Sequence, residues 1–192
     1  RYFTKPGVTS LALTDGMAEA LLRNVMRNAR LALQAPDDYD VRAEIMWAGT
    51  LSHNDITGDR SQGDWASHQL EHELGGMFDI AHGAGLAAIW GSWARYVLKQ
   101  NPCRFAQLAV NVLNVPYSFG NDEKTALEGI AAMEDFFRSI GMPTSISDME
   151  IELTDAQIKE LAHKCSFMGR RTIGGFVTLN AADMENIYRM AR

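Results

Sequence analysis

Cysteine is scarce in this chain. Two residues in 192, Cys103 and Cys165, without CxxC spacing, leave no basis for a disulfide framework or a thiolate zinc site. Both read as small apolar residues on helices, and the reducing cytoplasm is the expected compartment. Long apolar runs are missing as well: none approaches the ~18 residues that span a bilayer, so no membrane partner is expected. Positive charge is not in excess. Asp and Glu number 24 against 18 Lys and Arg, a net charge of −6. Arg170-Arg171 and the scattered arginines of the first thirty positions are too sparse for the basic face of a nucleic-acid binder. Alternating strand patterns are nearly absent; the one candidate, over 171–179, is interrupted by two glycines. There is no apolar leader segment and no initiator Met. An opening at Arg1 reads as a fragment or a processed piece.

What is present is helical periodicity. Met17, Leu21, Val25 and Ala29 recur every four residues in a helix expected to start at Thr14 or Asp15 and to stop before Pro36. A second helix is expected from about 40 to before Thr57-Gly58, then a polar loop over 55–63. Asp64 or Ser67 opens the next, which meets Gly75-Gly76, and another runs from His82 to about 98. Asn101-Pro102 is a cap-and-N1 pair for a helix to about 112. Asn121 begins a long helix closed by Gly141, and Thr154 and Asn180 cap the last two. Seven or eight helices on short loops predict an all-α, multi-helix bundle, with residues 1–192 as a single domain.

Three of the five histidines, His68, His72 and His82, fall within fifteen residues. Imidazole is the commonest metal ligand and the commonest acid–base group near neutral pH. His68 and His72 are four apart and share a helix face. His82 lies fourteen residues beyond His68, and an unbroken helix would separate the two by ~21 Å. Two nitrogens on one metal are no more than ~4 Å apart. A shared site therefore requires a chain reversal, which Gly75-Gly76 or the stretch 79–81 offers. On the residues alone, metal or catalytic use stands level with ordinary surface or core histidines. His53 and His163 read as exposed helix residues. Two other readings compete. His68-Gln69-Leu70-Glu71-His72 fits the H-x-x-E-H peptidase pattern, in which Glu71 activates water and Glu150 or Glu152 completes the zinc site. Such peptidases resemble α+β folds, and strands are scarce here. The other is a helical interaction module with incidental histidines.

Residues 64–87, DWASHQLEHELGGMFDIAHGAGLA, closely resemble the C-terminal metal motif of iron-containing (group III) alcohol dehydrogenases, His-x3-His-x9-His-Gly. PDDYDVRAEIMWA at 36–48, FFRSIGMPTSISD at 136–148 and the terminal MENIYRMAR resemble the butanol dehydrogenase branch, so the similarity covers essentially the whole chain. The resemblance implies the helical C-terminal domain of a dehydroquinate synthase-like fold. It implies His68 and His82 as metal ligands, and His72 as a non-ligand residue near the nicotinamide that assists proton transfer or orients cofactor. Trp47 and Trp65 match no ligand position; each either lines the pocket or packs in the core. The implied cofactors are Fe²⁺ or Zn²⁺ and NAD(P)H, the substrate a small alcohol or aldehyde, and the assembly a homodimer. Two features of the family are not matched here: a glycine-rich phosphate turn after a strand, and the family's first two metal ligands, an Asp-x3-His pair that the resemblance places shortly before Arg1. Both are expected in an N-terminal domain, without which the chain is expected to be inactive.

Overall fold

A computed structural model describes residues 2–3, 11–58 and 63–192; part of the loop expected over 55–63 lies outside the described residues. Eight α-helices follow in order: α1 (Ala12–Gln34), α2 (Tyr39–His53), α3 (Ala66–Phe78), α4 (His82–Val97), α5 (Pro102–Leu113), α6 (Asp122–Ser139), α7 (Asp155–Cys165) and α8 (Ala181–Ala191). The expected all-α bundle is what forms. The strand-like stretch over 171–179 is a tight loop closed by one bridge, Ile173 with Leu179. Gly174 turns it at φ +90°, where a side chain would meet the Val177 carbonyl.

Four of the expected helix starts follow from local chemistry. The Asn101 side chain accepts from the Arg104 amide with Pro102 in the first turn, and Asn121 accepts from the Lys124 amide. Thr154 with Gln157, and Asn180 with Asp183, form reciprocal capping boxes. The first helix departs from expectation. It begins at Ala12, ahead of Thr14 and Asp15, and Asp15 caps nothing. Its carboxylate is buried against Arg104 of α5, whose Nη2 donates to it at 2.6 Å. A long-range ion pair has taken the acid that local reasoning assigned to a cap.

α4 occupies the centre: Ala88, Ile89 and Ala94 are fully buried, and the helix packs against α3, α6 and α8. Phe3, Trp93, Phe105 and Phe176 form an aromatic cluster beside it, with Phe3 stacked on Phe105 at 4.4 Å. Each such ring removed from water contributes roughly 1.5–3 kcal/mol. α5 and α6 approach closely because Gly129 faces Ala109; a Cβ at 129 would lie 2.4 Å from that of Ala109. α7 and α8 pack on each other and anchor α3, through Cys165 Sγ to the Gln69 carbonyl (3.4 Å) and Tyr188 Oη to the Leu70 carbonyl (2.7 Å). The helix that carries two of the three clustered histidines is thus fixed from behind.

Candidate metal centre

α3 is held at its start by Asp64. One carboxylate oxygen accepts from the Ala66 amide at 2.8 Å, and the other from the amides of Gly175 and Phe176 at 2.9 and 2.8 Å. Ala66, Leu70 and Leu74 recur every four residues and are fully buried. His68 and His72 follow the same four-residue step on another face of the helix.

The required reversal is present, three residues beyond the glycines. α3 runs straight through Gly75 and Gly76. Asp79 ends it in the left-handed conformation, φ 51°, its amide bonded to the Gly75 carbonyl at 2.8 Å. Asp is among the few residues that adopt this conformation readily. Ala81 is extended and His82 opens α4. The hairpin folds His82 back over α3.

The three rings converge. Ring centres are 5.2 Å apart for His68 and His82, 5.3 Å for His72 and His82, and 6.2 Å for His68 and His72. With each nitrogen ~2.1 Å from a tetrahedral ion, two ligating imidazoles have ring centres ~5.2 Å apart. His82 satisfies this with either partner, whereas the His68–His72 spacing is wide. The donor set fits a divalent cation that takes nitrogen ligands. His68 is half-buried, and that burial, followed by the charges of His82 and His72, pushes its pKa down to about 4. It is therefore a neutral imidazole with a free lone pair at neutral pH. His72 and His82 are exposed at the rim.

Glu71 entered the sequence reading only as the water-activating base of the peptidase alternative. It is 2% exposed, and its Oε2 is hydrogen-bonded to Nδ1 of His82. One nitrogen from each of His72 and His82 and one Glu71 oxygen lie within 4.8 Å of one another, so proximity alone nominates that trio and omits His68. The buried carboxylate is engaged by His82 and lies on the core side of the site. His68 is more buried than His72 and, of the three clustered histidines, it is the one that lines the neighbouring cavity. The sequence signal for Glu71 was faint: an acid beside the buried Leu70, with a glycine one turn later.

A cavity of about 430 Å³ adjoins His68, which lines it together with Phe3, Leu22, Trp65, Trp90 and Met133. Its walls are largely apolar and its size suits a small organic molecule. Trp65 stands edge-on to His68 at 4.9 Å and lines this cavity; Trp47 lines a separate groove between α1 and α2. His53, exposed at the end of α2 as expected, also reaches the cavity lining. His163 is exposed on α7. Cys165 is buried, whereas Cys103, expected to be an apolar helix residue, is exposed.

Residues 3–192 match the model of the Fe-containing alcohol dehydrogenase family, C-terminal. The chain belongs to this family. It is 36% identical over 182 residues to a probable NADH-dependent butanol dehydrogenase of Bacillus subtilis, covering 95% of this chain and 46% of that protein. It is 31% identical over its whole length to the NADPH-dependent aldehyde reductase YqhD of Escherichia coli, 48% of which is covered. The solved structure of that reductase superposes with a TM-score of 0.89 over 100% of this chain and 49% of that one. NADH-dependent butanol dehydrogenase A of Thermotoga maritima gives 0.88 at 28% identity, over 99% of this chain and 48% of that one. As a member of the iron-containing family, the chain spans about half the length of these relatives, the half that forms the C-terminal helical domain.

Proposed function

We propose that this chain is the metal-binding catalytic half of an NAD(P)-dependent alcohol dehydrogenase, with His68 and His82 its share of the metal ligands. The observation that carries the reading is the Asp79 reversal, which brings the rings of His68 and His82 edge-on to each other with centres 5.2 Å apart, a spacing compatible with a shared ion, beside an apolar cavity. When bound, a divalent metal, Fe²⁺ or Zn²⁺, would be held by His68 and His82 and would supply Lewis-acid polarisation of an alcohol or aldehyde oxygen, with hydride chemistry supplied by a nicotinamide coenzyme. The residues of this chain do the rest. His68, neutral and half-buried, presents a lone pair at the cavity wall. The apolar lining holds the carbon chain of the substrate and excludes water. The role assigned to His72, exposed on the same helix face one turn on, is proton transfer to or from the reacting group at its imidazole nitrogen and contact with the coenzyme.

Relatives named as NADH- and NADPH-dependent enzymes support the coenzyme assignment, and their names support alcohol or aldehyde substrates. These 192 residues hold no glycine-rich coenzyme turn after a strand, and although Asp64 and His68 have the Asp-x3-His spacing, the Asp64 carboxylate is taken up by the Ala66, Gly175 and Phe176 amides, so neither the cradle nor the family's ligand pair is found here. On this reading they lie in an N-terminal domain, the complete protein works as a homodimer in the cytoplasm, and the 192-residue chain alone gives negligible NAD(P)H-dependent aldehyde reduction. Among the described residues no helix is long and apolar enough to cross a membrane.

The test is zinc and iron retention by single variants. His68→Ala and His82→Ala are expected to lose metal, and His72→Ala to keep most of it. Loss at His72→Ala with retention at His68→Ala would shift the assignment to the compact trio with Glu71. Robust aldehyde reduction by the pure 192-residue chain would overturn the half-site reading.

A further inference from the structure

The engagement of His82 by Glu71 does not belong to the ligand set just described, and the way the fold accommodates it is specific. Glu71 sits one position before His72, yet it is 2% exposed where His72 is exposed. A buried carboxylate is costly unless it is hydrogen-bonded. Space for it is made by glycine on both helices. A Cβ at Gly75 would lie 3.0 Å from Glu71 Oε1, and one at Gly85 would lie 2.7 Å from Cγ and 2.8 Å from Oε1. The glycines do not serve the helices themselves; glycine weakens a helix interior.

The bond engages Nδ1 of His82 and leaves Nε2 as the ring nitrogen that Glu71 does not touch. With the carboxylate oxygen as acceptor, the hydrogen of that bond sits on Nδ1. In a neutral imidazole that leaves the lone pair on Nε2. From this geometry we propose that Glu71 is a positioning residue that fixes His82 as the Nδ1–H tautomer and orients its ring, so that Nε2 is the atom offered to the metal. A buried carboxylate behind a ligating histidine raises the basicity of the ligand and removes the cost of ordering the ring. His68 receives no such partner in the hydrogen bonds of the described residues; Trp65 stands edge-on to it at 4.9 Å. The tautomer is independent of the proposed ligand set, whereas the role of Nε2 toward a metal rests on His82 being a ligand.

The first measurement is the tautomer of His82 in the metal-free chain, by long-range ¹H–¹⁵N correlation at about pH 8, where a free imidazole is neutral. The Nδ1–H form is expected; an Nε2–H form overturns the proposal. The second is Zn²⁺ affinity by chelator competition. Glu71→Ala is expected to weaken binding about 10–100-fold. Glu71→Gln, whose amide oxygen still accepts from Nδ1–H, is expected to recover most of that loss. Unchanged affinity in Glu71→Ala overturns the proposal. So does a Glu71→Gln loss equal to that of His82→Ala, which would make Glu71 a ligand. If His68→Ala and His82→Ala both keep their metal, the proposed function fails, and the tautomer still decides the role of Glu71. Should Glu71→Ala not fold, the tautomer of the unmodified chain and the isosteric Gln variant remain decisive.

Discussion

Gly85→Ala and Gly76→Ala are the same chemical change in two neighbouring helices, and they are expected to move stability in opposite directions. Both positions are helical, so each alanine gains about 1 kcal/mol in helix propensity. At Gly76 nothing lies within 4 Å of the added methyl, and that gain stands. At Gly85 the methyl would sit 2.7 Å from Glu71 Cγ, 2.8 Å from its Oε1 and 2.9 Å from Ile80 Cδ1. Ordinary carbon contacts are ~3.5–4.0 Å, so each approach is short by roughly 1 Å. Glu71 is 2% exposed and cannot move without releasing His82. Overpacking of this kind costs about 1–3 kcal/mol, which leaves a net loss of about 0–2 kcal/mol after the propensity gain. In a chain of this length 1 kcal/mol moves Tm by about 2–4 °C. Thermal melts followed by circular dichroism should therefore show Gly76→Ala rising by about 2–4 °C. Gly85→Ala should lie between no change and about 8 °C lower. Zinc affinity should fall at Gly85→Ala and hold at Gly76→Ala. Equal rises in Tm, with zinc affinity intact in both, would refute the reasoning.

Three further outcomes are expected. The folded pKa of His68 lies below the ~6.5 of an unfolded chain, so its contribution to stability is complete above ~6.5 and is lost as pH falls through about 4; urea midpoints measured across that window should fall less steeply in His68→Gln. Burial raises the Asp15 pKa, but hydrogen bonds from Arg104 and Gln107 outweigh it and hold the carboxyl below its usual value, so the pair stabilises above pH ~4 and fails below. Arg104→Ala, which leaves that buried acid unpaired, should cost about 3–5 kcal/mol in urea unfolding at neutral pH, and a loss under ~1 kcal/mol would contradict the buried-pair reading. A thiol reagent should modify exposed Cys103 in the native protein and Cys165 only on unfolding, since burial removes access and pushes the Cys165 thiol up to about 11.

Much of this protein could be read from order along the chain, because the physics involved is short-range. Asn101, Asn121, Thr154 and Asn180 cap helices by reaching amides two or three residues away, and they begin helices where the sequence says they should. The four-residue step puts His68 and His72 on one face. The requirement for a reversal before His82 follows from helix rise alone.

Tertiary structure decided what depends on partners far along the chain or across a turn. Asp15 left its expected cap for Arg104, 89 residues away. Of the two stretches that offered the reversal, 79–81 makes it, at Asp79, while Gly75 and Gly76 stay helical and Gly75 makes room for a buried acid. Trp65 went to the cavity and Trp47 to another groove, a choice made by which helix faces meet. Sequence by itself determined which imidazoles are available to a metal. Only the packing of α3 against α4 determined which nitrogen of His82 is held by Glu71, because that bond exists only once the hairpin has closed.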